Sequence, residues 1–131
     1  MRIYLDSAPV IYLVEEIAPY AVMLETRLSA PETDQVCSDL TRLECRVRPI
    51  RDGEPALLAA FDRYLAEIIT EIVPLSRLVI DRATELRAQY GFRTPDALHL
   101  AAALIGNCDL FLTNDRQLCR CAEIAVECIA S

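Results

Sequence analysis

The chain has 131 residues, 53% of them hydrophobic and a quarter charged, with a net charge of −7. That length suits one domain around one core, and so much apolar content excludes a disordered chain. No stretch approaches the ~20 apolar residues of a membrane span, because residues 3–14 are interrupted by Asp6 and Pro9 and residues 97–105 are too few.

Residues 1–6 are short, apolar and closed by an aspartate, the pattern of a buried strand. They have no character of a secretory leader, so the expected location is the cytoplasm. A helix is expected over 9–16, with Ser7 as its cap and Pro9 in its first turn, and a second from Pro19 to Ser29. Residues 35–38 read as a short strand, followed by a helix over 40–48 capped by Ser38 or Asp39 and ended by Pro49. After a turn at Asp52 and Gly53, residues 54–69 carry Leu57, Phe61, Tyr64, Leu65 and Ile68 at helical spacing.

Residues 71–75 form the next expected strand, and a helix from Ser76 or Arg77 runs to Gln89 and stops near Gly91. Thr94 caps the next helix, with Pro95 in its first position and Gly106 at its end. Residues 109–113 read as a strand, 115–121 as a short helix and 124–129 as a final strand. Strands separated by helices imply parallel crossovers, hence an α/β fold with a central parallel sheet flanked by helices on both faces, as one domain over 1–131.

Six cysteines are present, at positions 37, 45, 108, 119, 121 and 128. With no leader, a disulfide framework is not expected. Zinc is not expected either, since there is no C-x-x-C pair and only one histidine, His99. The thiols read mostly as small buried hydrophobes. All thirteen basic residues are arginines. Their planar forks suit phosphate, but they pair equally well with carboxylates.

In open parallel sheets, ligands bind beyond the carboxyl ends of the strands. Asp6 ends the first expected strand, Asp115 lies just past the strand at 110–113, and Glu44 and Asp96 lie near the starts of helices that follow strand or loop. All four can gather on one edge. Such a cluster repels itself strongly unless cations occupy it. Hard divalent ions such as Mg²⁺ or Mn²⁺ prefer carboxylate and water oxygens, and on a phosphodiester they acidify water and stabilise the leaving oxygen. Asp96 and Asp115 would each also be at home as acids in a first helical turn. Asp6, directly after Ile3, Tyr4 and Leu5, has no such structural reason.

Four strings carry a resemblance: Tyr-Leu-Asp-Ser (4–7), Thr-Arg-Leu-Glu (41–44), Thr-Pro-Asp-Ala-Leu-His-Leu-Ala (94–101) and Leu-Thr-Asn-Asp-Arg-Gln-Leu (112–118). In this order they resemble PIN-domain ribonucleases, and among these the VapC toxins of bacterial toxin–antitoxin pairs. The resemblance implies a PIN fold, a Mg²⁺ or Mn²⁺ site formed by Asp6, Glu44, Asp96 and Asp115, and endonucleolytic cleavage of RNA. It also implies homodimers and a neutralising VapB-type antitoxin. Thr113 would orient a water or Asp115. Pro9 departs from the family pattern, and the tail after Leu118 lies outside the motifs.

Helical spacing places Thr41 and Arg48 on the face of Glu44, with Arg42 and Arg46 about 200° round. Arg48, Arg93 and Arg116 are the expected RNA contacts, each equally able to serve as an ion-pair partner. His99 shares a face with Asp96 but reads as a packed or hydrogen-bonded histidine outside the catalytic set. One histidine also argues against metal-free cleavage by a histidine pair. A phosphotransfer domain on a related sheet would use a lysine, and the chain has none. The remaining alternative is a catalytically weak module that binds RNA or antitoxin.

Overall fold

In a computed structural model that describes residues 1–129, five strands and six helices alternate along the chain. Strands β1 (Arg2–Leu5), β2 (Asp34–Ser38), β3 (Glu71–Val73), β4 (Leu110–Thr113) and β5 (Ala125–Cys128) form one sheet in the order β3-β2-β1-β4-β5. Every neighbouring pair is parallel. The connections are α1 (Ser7–Val14) and α2 (Tyr20–Leu28), α3 (Asp39–Arg51) and α4 (Pro55–Glu67), α5 (Arg77–Tyr90) and α6 (Thr94–Ile105), and a short 3-10 turn, Arg116–Arg120.

Strand periodicity of two divides the core. Ile3, Leu5, Leu110 and Leu112 face one cluster, packed with Val10, Leu24, Cys45, Phe61 and Leu65 from α1 to α4. Tyr4, Val36 and Phe111 face the other, packed with Val79, Leu86, Ala97, Leu100 and Ala101 from α5 and α6. The central strands β1 and β4 are therefore buried on both sides, which is why they read as apolar runs. The α/β architecture with helices on both faces is as expected.

Three local expectations are corrected. Asp6, not Ser7, caps α1: its backbone is extended and its side chain accepts the Ser7 N–H. Arg93, not Thr94, holds the cap position of α6, because the Arg93 carbonyl takes the first helical bond, from Ala97 at 3.0 Å. Pro49 does not end α3. It lies within the final turn, so only one helical N–H is lost, and the helix continues to Arg51 and closes on Asp52. Gly91 terminates α5 with φ +74°, the left-handed cap that favours glycine.

All six thiols are free. Cys37, Cys45 and Cys121 are buried, as small hydrophobes would be, whereas Cys108 and Cys128 are partly exposed and Cys119 is exposed. Burial pushes the Cys37 and Cys45 thiols up to about 12, so neither is a nucleophile at neutral pH. No described helix is long and apolar enough to cross a membrane.

Candidate active site

The carboxyl ends of β1 and β4 lie side by side, with Leu5 opposite Leu112 in register. Asp6 emerges there, its N–H bonded to the Leu112 carbonyl at 3.0 Å. Its carboxylate has two local partners. Oδ1 accepts the Ser7 N–H at 2.9 Å, and Oδ2 accepts the buried Thr113 hydroxyl at 2.8 Å. Thr113 in turn accepts the Asp115 N–H at 3.1 Å. Thr113 thus orients Asp6 directly and Asp115 through its backbone, tying the two strand ends together.

Glu44 reaches the same edge from the second turn of α3. Its Oε1 accepts the Ser7 hydroxyl at 2.6 Å and lies 2.6 Å from His99 Nε2. Burial pushes the Glu44 carboxyl up, but the bonds from His99 and Ser7 outweigh it and leave the group below its ordinary range. His99 stands one turn after Asp96 on α6 and is almost wholly buried, with Nε2 3.5 Å from Asp6 Oδ1.

Asp96, in the first turn of α6, behaves oppositely to Glu44. Burial and then the charge of Asp6 raise it, Asp115 adds to the rise, and Arg93 opposes it from 3.7 Å. Asp115 caps the 3-10 turn through the Gln117 N–H at 2.9 Å. Asp96 and Asp115 line one cavity of about 260 Å³ together with Arg93, Gln117 and Arg120. The four expected acids therefore share one edge as two linked groups: Asp6 with Glu44 around His99, and Asp96 with Asp115 across the cavity.

The expected cations are placed less uniformly. Arg93 is 84% exposed beside Asp96. Arg116 is exposed at the start of the 3-10 turn. Arg48 does share the Glu44 side of α3, but both oxygens of Glu15 hold its guanidinium, one at 2.6 Å. Arg42 and Arg46 pair with Asp62 away from the acids. Sequence reasoning missed Arg120, which stacks over Phe92 and donates to the Tyr90 carbonyl at 3.0 Å beside the cavity. It also took Ser7 for a cap, although its hydroxyl serves Glu44. The adjacency of Ser7 to Asp6 was the available signal.

One ligand atom each from Asp6, Glu44 and His99 lie within 4.8 Å of one another. The three groups thus crowd one small site, with His99 Nε2 2.6 Å from Glu44 and 3.5 Å from Asp6. With Asp96 and Asp115 adjacent, the donor set is rich in oxygen, the preference of a hard divalent cation.

The sequence profile of the PIN domain matches residues 3–124, nearly the whole chain. The chain belongs to the PIN-domain family. No curated protein sequence gives a significant match. Among solved structures this PIN domain is similar to the VapBC2 complex of Rickettsia felis bound to a promoter DNA fragment, with a TM-score of 0.77, 16% identity and coverage of 97% of this chain and 98% of that one. It is also similar to a toxin–antitoxin complex from Klebsiella pneumoniae, with a TM-score of 0.74, 19% identity and 96% coverage of each chain. A third similar structure is the sarcin-ricin loop cleaving toxin VapC20 of Mycobacterium tuberculosis, with a TM-score of 0.66, 14% identity and coverage of 83% and 86%. At these identities the likeness is one of fold.

Proposed function

We propose that this PIN domain, a single unit over 1–131, is an endoribonuclease of the VapC toxin type that hydrolyses RNA phosphodiester bonds with Mg²⁺ or Mn²⁺. The observation that carries the reading is the convergence of Asp6, Glu44, Asp96 and Asp115 on one sheet edge, where Asp96 is raised by burial and by its acidic neighbours. Unmatched acids at this density are costly without a cation. Asp6, Asp96 and Asp115, with Glu44, would hold the ion. When bound, it neutralises charge on the phosphate and lowers the pKa of a water.

The chain's own groups do the positioning. Thr113 and Ser7 N–H fix both oxygens of Asp6. Both Glu44 bonds go to Oε1, which leaves Oε2 free for a further partner. Arg93 and Arg116, with Arg120 at the cavity, provide cations for the flanking RNA phosphates, and Arg48 joins them only by releasing Glu15.

A VapB-type antitoxin and a second copy of the chain are the proposed protein partners. Leu43, Val47 and Ile50 support a partner surface: they follow one another along α3 at 60%, 51% and 58% exposure. Expressing the wild type and Asp96→Asn in a bacterial host and following RNA decay tests the function. Decay with the wild type alone is expected; equal decay, or none with either, contradicts the ribonuclease reading in favour of a binding module.

A further inference from the structure

His99 faces two partners on opposite sides of its ring. Nδ1 lies 2.7 Å from the Tyr4 hydroxyl, and Nε2 lies 2.6 Å from Glu44 Oε1. A ring turned by 180° would set carbon atoms against both oxygens, so the polar partners fix its orientation. The surroundings hold it there: Tyr4 is wholly buried, stacks on Phe111 at 5.2 Å and 7°, and meets the imidazole edge-on at 5.8 Å. Tyr4 Oη is also 2.9 Å from Ser38 Oγ, at the cap of α3. A chain of hydrogen bonds therefore runs from the α3 cap through the sheet to the acid edge.

The proton count along this chain is restrictive. Glu44 Oε1 already receives the Ser7 hydroxyl, and a carboxylate oxygen can only accept. A bare Nε2 lone pair facing it at 2.6 Å would be repulsive, and Asp6 Oδ1 at 3.5 Å would add to the repulsion. At 2.6 Å the two atoms are also closer than the ~2.9 Å that separates neighbouring ligands on an octahedral shell of ~2 Å bonds. A proton on Nε2 resolves the contact, and it removes the lone pair that coordination would need. On Nδ1, the Tyr4 hydroxyl supplies the matching partner.

We propose, on the ribonuclease reading above, that His99 is a positioning residue which donates its Nε2–H to Glu44 Oε1, and that it does not coordinate the metal. Tyr4 holds the ring from behind, and Glu44 keeps Oε2 free of these bonds. The ion is then left to oxygen donors, and the histidine acts through the carboxylate it orients. Outer partners of this kind typically change activity or metal affinity by 10–100-fold.

His99 is the only histidine in the chain, so nitrogen NMR of the ¹⁵N-histidine-labelled protein reads this ring without assignment. Nε2 is expected to resonate as a protonated, pyrrole-type nitrogen and to remain so on titration with Mg²⁺. A non-protonated Nε2, or loss of its proton as Mg²⁺ binds, overturns the proposal whether or not the protein cleaves RNA. Kinetics provide the second arm. His99→Gln, which keeps a donor at the Nε2 position, is expected to hold kcat within about threefold of wild type. His99→Leu is expected to lower kcat about 10–100-fold with KM for RNA unchanged. Equal losses in the two variants, with weakened Mg²⁺ binding by calorimetry in both, would make His99 a ligand instead. Absence of cleavage by the wild type would count against the ribonuclease reading while the NMR result still decides the role of His99.

Discussion

At the amino-terminal edge of the sheet, Arg2 meets Glu71 at 2.6 Å and the Gly106 carbonyl at 2.8 Å, with Asp34 3.7 Å away. The Arg2 N–H also bonds Asp109 at 2.8 Å. At the carboxyl-terminal edge, Asp6, Glu44, Asp96 and Asp115 come together, and the cation nearest Asp96 is 84% exposed. One edge matches its charges and ties β1, β3 and α6 to one another. The other gathers acids whose mutual repulsion a bound cation would relieve. The proposed function puts chemistry at the second edge and leaves the first to stability, and substitutions should separate them.

The largest effect is expected at the acid edge. Asp6→Asn should lower RNA cleavage on the order of 1000-fold, the equivalent of several kcal/mol of charge stabilisation. Its metal-free melting temperature should change little, because asparagine caps a helix as well as aspartate does and relief of the repulsion with Asp96 offsets the lost Thr113 bond. Cleavage assays and thermal melts of one preparation check both. Arg2→Met at the opposite edge should invert that pattern. A loss of about 1–2 kcal/mol in denaturant unfolding is expected, from hydrogen bonds to a charged donor, with kcat intact.

Within the acid edge, two residues should respond to pH with opposite signs. Asp96 is raised in the folded state, so its stabilising contribution is present at acid pH and is lost as pH rises through the folded value. Asp96→Asn should therefore be more stable than wild type at neutral pH without metal, the difference vanishing below the ordinary carboxylate range. Glu44 is lowered, so its contribution is present at neutral pH and is lost as pH falls through the folded value. Glu44→Gln should be less stable than wild type at pH 7, and the gap should close on acidification. Metal-free melts across pH 3–8 read both signs, and a shared sign would break the distinction between the two acids.

The smallest effect is expected from the arginines. Arg93→Ala should weaken RNA binding and reduce the slope of log affinity against log salt by about 0.7, one phosphate contact on a single strand. Arg48→Ala should change that slope less, because Glu15 already holds its guanidinium. Binding titrations at several salt concentrations distinguish them.

The fold was legible because β1 and β4 are buried on both faces and stand out as apolar runs between helical patterns. Asp6 stood out from its place at a strand end, Asp96 and Asp115 from their shared edge together with the surrounding motifs, and Glu44 chiefly through the family resemblance. Less legible were features set by side-chain contacts between distant segments. Asp6 was marked as a functional acid, yet it also caps α1. Pro49 reads as a helix end, but in the last turn a missing N–H costs one bond and no more. His99 was correctly read as packed and hydrogen-bonded. That its partners are Tyr4 and Glu44, 95 and 55 positions away in the chain, follows only from the way β1, α3 and α6 meet. Arg48 sits on the expected face of α3, and its pairing with Glu15 depends on where α1 ends.

In the proposed function a cation completes the acid edge. RNA cleavage by the purified protein, measured with Mg²⁺, then with excess EDTA, then with Mg²⁺ restored, tests that claim most directly. Loss of cleavage in EDTA and its recovery on adding the ion is the predicted result. Cleavage that persists undiminished in excess EDTA would contradict it.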